Sequence, residues 1–273
     1  MQNISVFVFA HQDDELGVYA EIVRLIKNGT KVIAVYLTSG GLDGEPRPDR
    51  DNESLNVLKD IGVVQENIYF LGRDLHIPAG GAPHIFKPRS VSEGMYEYLD
   101  TIYPQILNLL NPMGKITSLY FLSWEGGHPD HDATHIIGLA LAKQLKILDH
   151  AFQFTLYTGY KLPWVLFKLF SPLASNGELI TYKISWYSRL SFIKYALSYR
   201  SQLLPIVGLF PFFLFHHIVK GTQILQPVTI SRILEQPHPG KLLYERRGVL
   251  AFNKFNKKVQ DFIKSNITKI NTS

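Results

Sequence analysis

The chain has 273 residues, 46% of them hydrophobic and 19% charged, which suits one large domain with a sizeable core and argues against global disorder. It contains no cysteine, so a disulfide framework, thiolate metal ligation and a cysteine nucleophile are excluded, and any metal must be held by His, Asp or Glu. The net charge is +5, but residues 241–273 alone carry +6, from eight Lys/Arg against Glu245 and Asp261, which leaves the first 240 residues at −1.

Through residue 160 the hydrophobic pattern alternates between two periods. Ile4–Ala10 is a short apolar run rich in β-formers, and Leu16–Lys27 follows with helical spacing and a stop at Gly29. Lys31–Leu37 reads as a second strand, then a Gly-rich loop runs through Ser39–Pro48. Asp51–Ile61 has helical spacing and ends at Gly62, and Asn67–Leu71 reads as a third strand. The polar, Pro/Gly-rich stretch from Gly72 to Ser90 is long enough to be a functional loop. Val91–Leu110 is helical with a kink expected at Pro104, Ser118–Leu122 is a strand, His131–Ile147 a helix and Gln153–Thr158 the last strand of the series. Strands alternating with helices predict an α/β, Rossmann-like fold, a mostly parallel sheet with helices on both faces.

From residue 161 the alternation stops. Residues 161–273 read as a C-terminal elaboration of the same domain as the 1–160 core. They hold two apolar stretches (Leu162–Ala174 and Leu203–Val219), a strand at Leu179–Ser185, a helix at Tyr187–Tyr199 and the basic tail. Leu203–Val219 is shorter than the ~20 residues of a spanning helix and is interrupted by Pro205, Gly208 and Pro211. The first residues lack the basic n-region of a secretory signal, so a cytoplasmic protein is expected. Apolar surface with Lys/Arg suits anionic lipid, so peripheral contact with the inner face of a membrane is expected through 203–219 and the basic tail. No RNP, zinc-finger or basic-helix signature accompanies the charge, and nucleic acid is not expected as a partner.

Open α/β sheets bind ligands outside the carboxyl ends of their strands. No GxGxxG follows the first strand; His11-Gln-Asp-Asp-Glu15 stands there instead. A second polar cluster, Ser123–His135 (SWEGGHPDHDATH), follows Ser118–Leu122. Two such turns on one sheet edge can converge on a zinc ion, which takes His nitrogen and carboxylate oxygen and leaves a position open for water when catalytic. A tight turn can aim His11 and Asp14 inward together. Asp13 cannot point the same way without backbone distortion, which frees it to act as a general base. The third ligand belongs to His128, His131 or His135, and spacing does not choose among them.

These residues resemble the motifs of a known family. Ala10 through Glu15 is similar to the (A)HPDDE motif of the PIG-L/LmbE family of zinc-dependent N-deacetylases, and Gly127 through His131 to its HPDH motif. Arg50 and Glu53, before the Ile61-Gly62-Val63 turn, resemble its R-x-x-E…LGV helix, and Tyr199-Arg-Ser-Gln202 its late (H/Y)RSQ element. The resemblance implies zinc ligands at His11, Asp14 and His131, and a general base at Asp13. It implies that His128 stabilises the oxyanion and protonates the departing amine, that Asp130 tunes a nearby histidine, and that Arg50 lies near the sugar. Gln12 departs from the family's proline, whose contribution is a fixed φ, so a less rigid turn is expected. The implied reaction is zinc-dependent removal of an N-acetyl group from an N-acetylglucosamine conjugate, a small molecule or a lipid-linked sugar. A metal-dependent phosphoesterase with two metals, or a non-catalytic sugar-binding member of the fold, are the alternatives.

Overall fold

The computed structural model describes residues 2–80 and 94–267, the side chains of 203–206 excepted. Nine strands occur among them: β1 (Ile4–Phe9), β2 (Lys31–Tyr36), β3 (Ile68–Tyr69), β4 (Ile116–Leu122), β5 (Ala151–Phe154), β6 (Tyr157–Thr158), β7 (Lys168–Leu169), β8 (Ile180–Lys183) and β9 (Thr222–Pro227). Seven form one sheet in the order β3-β2-β1-β4-β5-β9-β8, and β6 pairs with β7 alone. From β3 to β5 every pairing is parallel, while β9 runs antiparallel to β5 and β8 antiparallel to β9.

β1 is buried along its whole length because both sheet faces are covered, which is why it reads as an apolar run broken only by Ser5, whose hydroxyl pairs with that of Ser118. Its side chains alternate between two cores. Val6 and Val8, with Ile33, Val35, Leu119 and Phe121, face one side; Phe7 and Phe9, with Ala34, Tyr36, Tyr120 and Leu122, face the other. The sheet order reverses direction between β1 and β4, so their carboxyl ends border the crevice where α/β sheets take ligands.

The helices are α1 (Tyr19–Lys27), α2 (Pro48–Ile61), α3 (Leu71–Asp74), α4 (Leu99–Leu110), α5 (Pro129–Gln144), α6 (Trp186–Ala196), α7 (Leu203–Phe215), α8 (Leu243–Arg246) and α9 (Phe252–Asn266). α2 starts earlier than expected because Pro48 suits a first helical turn, and Gly62, at φ 108°, ends it. α5 is buried from Pro129 through Ala142, wedged between the sheet and α9. Gly138 permits that approach: a Cβ there would lie 2.3 Å from the Phe121 ring. The expected Gly72–Ser90 loop begins with α3 and an extended segment, and from residue 81 it lies outside the described residues, as does the start of the Val91–Leu110 helix.

Two features of the second half differ from the sequence reading. β9 was not expected, because Thr222-Gln-Ile-Leu-Gln-Pro227 is neither a continuous apolar run nor an alternating one. It joins β8 to the edge of the main sheet. The apolar stretch Leu203–Val219 forms α7 through Gly208 and Pro211 and continues as a π turn at His216–Lys220. No helix among the described residues is long and apolar enough to cross a membrane. The last helix of the basic tail lies apart from this stretch: α9 packs through Phe255, Val259 and Phe262 on the α5 side of the sheet, whereas Phe213 of α7 and Phe192 of α6 belong to the opposite core. Arg247, earlier in the tail, lies over the Phe167 ring at 5.7 Å.

Candidate metal centre and active site

The chain leaves β1 through a turn pinned by its own side chains. The Asp14 carboxylate accepts from the His11 amide at 2.7 Å, and the Asp14 amide donates to the His11 carbonyl at 3.3 Å. Asp13 takes φ 114°, the left-handed region that non-glycine residues avoid. The sequence reading required such a distortion only for Asp13 to point the same way as Asp14; it is present, and Asp13 Oδ2 lies beside Arg50. Asp13 keeps some exposure while Asp14 is almost fully buried. The Gln12 side chain is buried and donates to Asp51 of α2 at 2.6 Å, so a hydrogen bond does the tethering expected to be lost without proline. Gly40 makes room for it: a Cβ there would stand 2.7 Å from Gln12 Oε1. Arg50 donates to the carbonyls of Gln12 (2.8 Å) and Gly40 (3.0 Å) and lies 3.7 Å from Asp13 Oδ2.

The second turn comes from the end of β4. His128 caps α5: its Nδ1 accepts from the Asp130 amide at 3.2 Å, which leaves Nε2 as the donor nitrogen of the neutral ring. One helical turn later His131 faces the first turn. The two meet at Asp14, with Oδ1 3.3 Å from His131 Nε2 and Oδ2 3.7 Å from His11 Nδ1. Ligand nitrogens of His11, His128 and His131 all lie within 4.8 Å of one another, all buried, and this group can hold a metal ion.

A carboxylate stands behind each of the two outer rings. Asp130 Oδ2 is 3.0 Å from His11 Nε2, and the Asp130 carboxylate also accepts from the Gly80 and Met95 amides. Glu125 Oε1 is 3.4 Å from His131 Nδ1, and the Glu125 carboxylate is itself held by Ser123 and the Tyr157 amide. Such outer carboxylates fix the tautomer of a metal-binding histidine and leave its other nitrogen for the ion. Two imidazole nitrogens turned toward one carboxylate are a donor set that zinc accepts.

The electrostatics follow from burial and this pairing. Burial works against charge on His11 and His131, but the Asp130 and Asp14 carboxylates outweigh it at His11 and the Asp14 and Glu125 carboxylates at His131; their pKa values are raised to about 9 and about 10. Burial also opposes charge on Asp14, yet the flanking histidines drive it far down. At Asp13 burial prevails over the Arg50 guanidinium and lifts the carboxyl to about 6. Burial pushes His128 well below its usual value and keeps the ring neutral.

His135, the third histidine of the second cluster, is outside the group. It packs against Phe121 and Trp124 with Nδ1 3.0 Å from the Leu122 carbonyl. The remaining motif pieces are tied to the site. Tyr199 donates to Glu15 at 2.8 Å, and Glu53 accepts from the Ser201 amide (2.8 Å) and hydroxyl. Sequence reading did not single out Glu125, Asp51 or Tyr157. Glu125 stood inside the second cluster, six residues before His131, and was the one that could have been found. Tyr157, whose ring lies 5.2 Å from that of His131, carried no signal.

The sequence family PIG-L, described as GlcNAc-PI de-N-acetylase, matches residues 6–142, which is half of the chain and contains every residue of the cluster. No curated protein matches significantly. Among solved structures, the zinc-inhibited form of teicoplanin deacetylase Orf2 is similar at a TM-score of 0.62 and 14% identity, covering 84% of this chain and 99% of that one. The A40926 pseudoaglycone deacetylase Dbv21 gives 0.58 and 17%, covering 84% and 97%. The conserved protein TT1542 from Thermus thermophilus gives 0.51 and 17%, covering 89% and 97%. At these identities the likeness shows a common fold, a mostly parallel mixed sheet flanked by helices. The match of half the chain identifies it as a member of the PIG-L family.

Proposed function

We propose that the protein is a zinc-dependent N-deacetylase that hydrolyses the acetamide of an N-acetylglucosamine conjugate, with a lipid-linked sugar as the favoured substrate class. The observation that carries this reading is the arrangement of the two turns. His11 and His131, each backed by a carboxylate, converge on Asp14, while the adjacent Asp13, on a left-handed backbone, lies beside Arg50. His11, Asp14 and His131 would hold the metal. Zinc bound there would supply Lewis acidity toward the amide carbonyl and bring the pKa of water toward ~7.

Asp13 accepts the proton of the attacking water. A carboxyl lifted by burial to about 6 is ionised at neutral pH and still basic enough for that transfer. The neutral His128 ring donates Nε2–H to the oxyanion as the carbonyl carbon becomes tetrahedral, an interaction worth about 2.7–4 kcal/mol in comparable oxyanion holes. The C–N bond then breaks. Asp13, now protonated, returns its proton to the leaving nitrogen, a role better suited to it than to a histidine kept neutral by burial. The products are acetate and a free amine. Asp130 and Glu125 hold the imidazoles, and Arg50, beside Asp13, lines the side on which the sugar would sit.

The test is release of free amine by zinc-loaded protein from a panel of soluble and lipid-linked N-acetylglucosamine conjugates, with Asp13→Asn as control. Release that persists in the variant would remove Asp13 from the mechanism. No release by the parent protein from any conjugate would sink the deacetylase reading, and two bound metals per chain would favour phosphoester hydrolysis.

A further inference from the structure

The outer surface of the second half departs from the rest of the molecule. Of eighteen large hydrophobic residues that are exposed among the described residues, fourteen fall between residues 164 and 219. Trp164 and Tyr187 are each 83% exposed, and Leu190, Val207, Phe215 and Val219 also face water. Single exposed hydrophobes are ordinary; a contiguous apolar area marks a contact surface. These are contiguous: α6 packs on α7 and the π turn, and the Pro163–Phe167 loop joins them through Phe167 and Phe212, whose rings lie 5.5 Å apart. α7 is apolar throughout, so one side enters the core through Phe213 and the other has no polar face to give to solvent.

The charge of this segment narrows the occupant. Residues 161–227 contain seven Lys/Arg and one acid, Glu178. Lys161 and Lys168 bracket the loop, Lys194 sits on α6 and Lys220 closes the π turn, all exposed. Arg189 stacks over the ring of Trp186 at 4.5 Å. A second copy packed symmetrically on this face would oppose cation to cation. Exposed apolar side chains interspersed with Lys, Trp and Tyr suit instead an anionic lipid surface, hydrocarbon beneath phosphate. We propose that the face formed by the Pro163–Phe167 loop, α6, α7 and the π turn docks on an anionic lipid bilayer.

The surface leads to the cluster. Ring contacts run from His131 to Tyr157 (5.2 Å), from Tyr157 to Phe167 (5.8 Å) and from Phe167 to Phe212 (5.5 Å), so the metal-binding group and the lipid-facing loop share a continuous aromatic wall. Delivery of substrate from the bilayer rests on the deacetylase reading; docking itself does not.

The full chain is sedimented with vesicles of phosphatidylcholine alone and with vesicles carrying about 30 mol % phosphatidylserine. Binding is expected to the anionic vesicles and to weaken in high salt, with Trp164→Ser/Phe215→Ser/Val219→Ser lowering the partition coefficient about tenfold or more. The variant should keep the parent melting temperature and, where the parent releases amine from a soluble conjugate, the same rate. A chain inactive on every conjugate that still binds anionic vesicles would support docking while the catalytic reading fails. Equal sedimentation of variant and parent, no binding to anionic vesicles, or a parent dimer that the variant dissociates would each overturn the proposal, the last by assigning the face to a second copy.

Discussion

The ends of β1 and β4 bury charge, and the α6–α7 face exposes hydrocarbon; the two regions invert the usual partition of a folded chain in opposite senses. Asp14, Asp130, His131 and Glu125 are almost wholly inaccessible, and each is held by an imidazole, a carboxylate or backbone amides. Trp164 and Tyr187 are large, apolar and mostly in water. Both arrangements cost folding free energy, the first by desolvation and the second by forgone burial. α9 supplies the contrast. Its Phe255, Val259 and Phe262 recur at helical spacing with lysines between them, so one side goes into the core and the other into solvent. α7 lacks that spacing, and its excess apolar side stays outside. A run of hydrophobic residues therefore says little by its composition; the polar residues interleaved with it decide whether it can be satisfied within one chain.

The comparison is broken most severely at the site. On the proposed mechanism Asp13→Asn removes the proton acceptor and should lower kcat/KM for amine release by about 10²–10⁴-fold, with the fold retained. In the parent protein only the ionised Asp13 can accept a proton. kcat/KM should therefore hold at neutral pH and fall about tenfold per unit as pH drops below about 6. A profile flat through that range would place the base elsewhere. The ordinary region comes next: Phe262→Ala on α9 opens a cavity beside Tyr103, whose ring is 5.5 Å away, and should cost about 3–5 kcal/mol in denaturant unfolding with little change in the site.

Gln12→Ala leaves the buried Asp51 carboxylate without its 2.6 Å donor and should cost about 1–3 kcal/mol by the same assay. No loss there would mean that Arg73, 3.4 Å from the same carboxylate, suffices alone. Glu125→Gln weakens the support behind His131 and should reduce zinc affinity about 10–100-fold in a chelator competition. The smallest effect belongs to the exposed face. Phe215→Ser should change solution stability by no more than about 0.5 kcal/mol, and a loss comparable to that of Phe262→Ala would show that the face is core after all.

Several of these features are legible in the sequence. β1, β2 and the second half of β4 are buried on both sides and so announce themselves as predominantly apolar runs, and polar turns directly after β1 and β4 mark where those strands end. That Asp13 could share the direction of Asp14 only through a distorted backbone was readable, and φ 114° at Asp13 shows that such a distortion is present. The tether from Gln12 to Asp51 was not readable, because the two are brought together by the packing of α2 against the first turn. β9 was invisible for a different reason: a strand covered incompletely needs no continuous hydrophobic signal.

By itself, then, the amino-acid order determined the local elements, the chemical types at the two strand ends and the absence of thiol chemistry, since these depend on periodicity and on side chains close together in the chain. Tertiary structure alone decided that Asp130 serves His11 while Glu125 serves His131, and that Ser201 returns to Glu53 across 148 residues. It also decided that α9 of the basic tail and the core-facing side of the apolar stretch take opposite sides of one sheet. Hydrogen bonds and charge pairs act over a few ångströms, and which groups come within that reach depends on how strands order and helices pack, a property of the whole chain rather than of any segment.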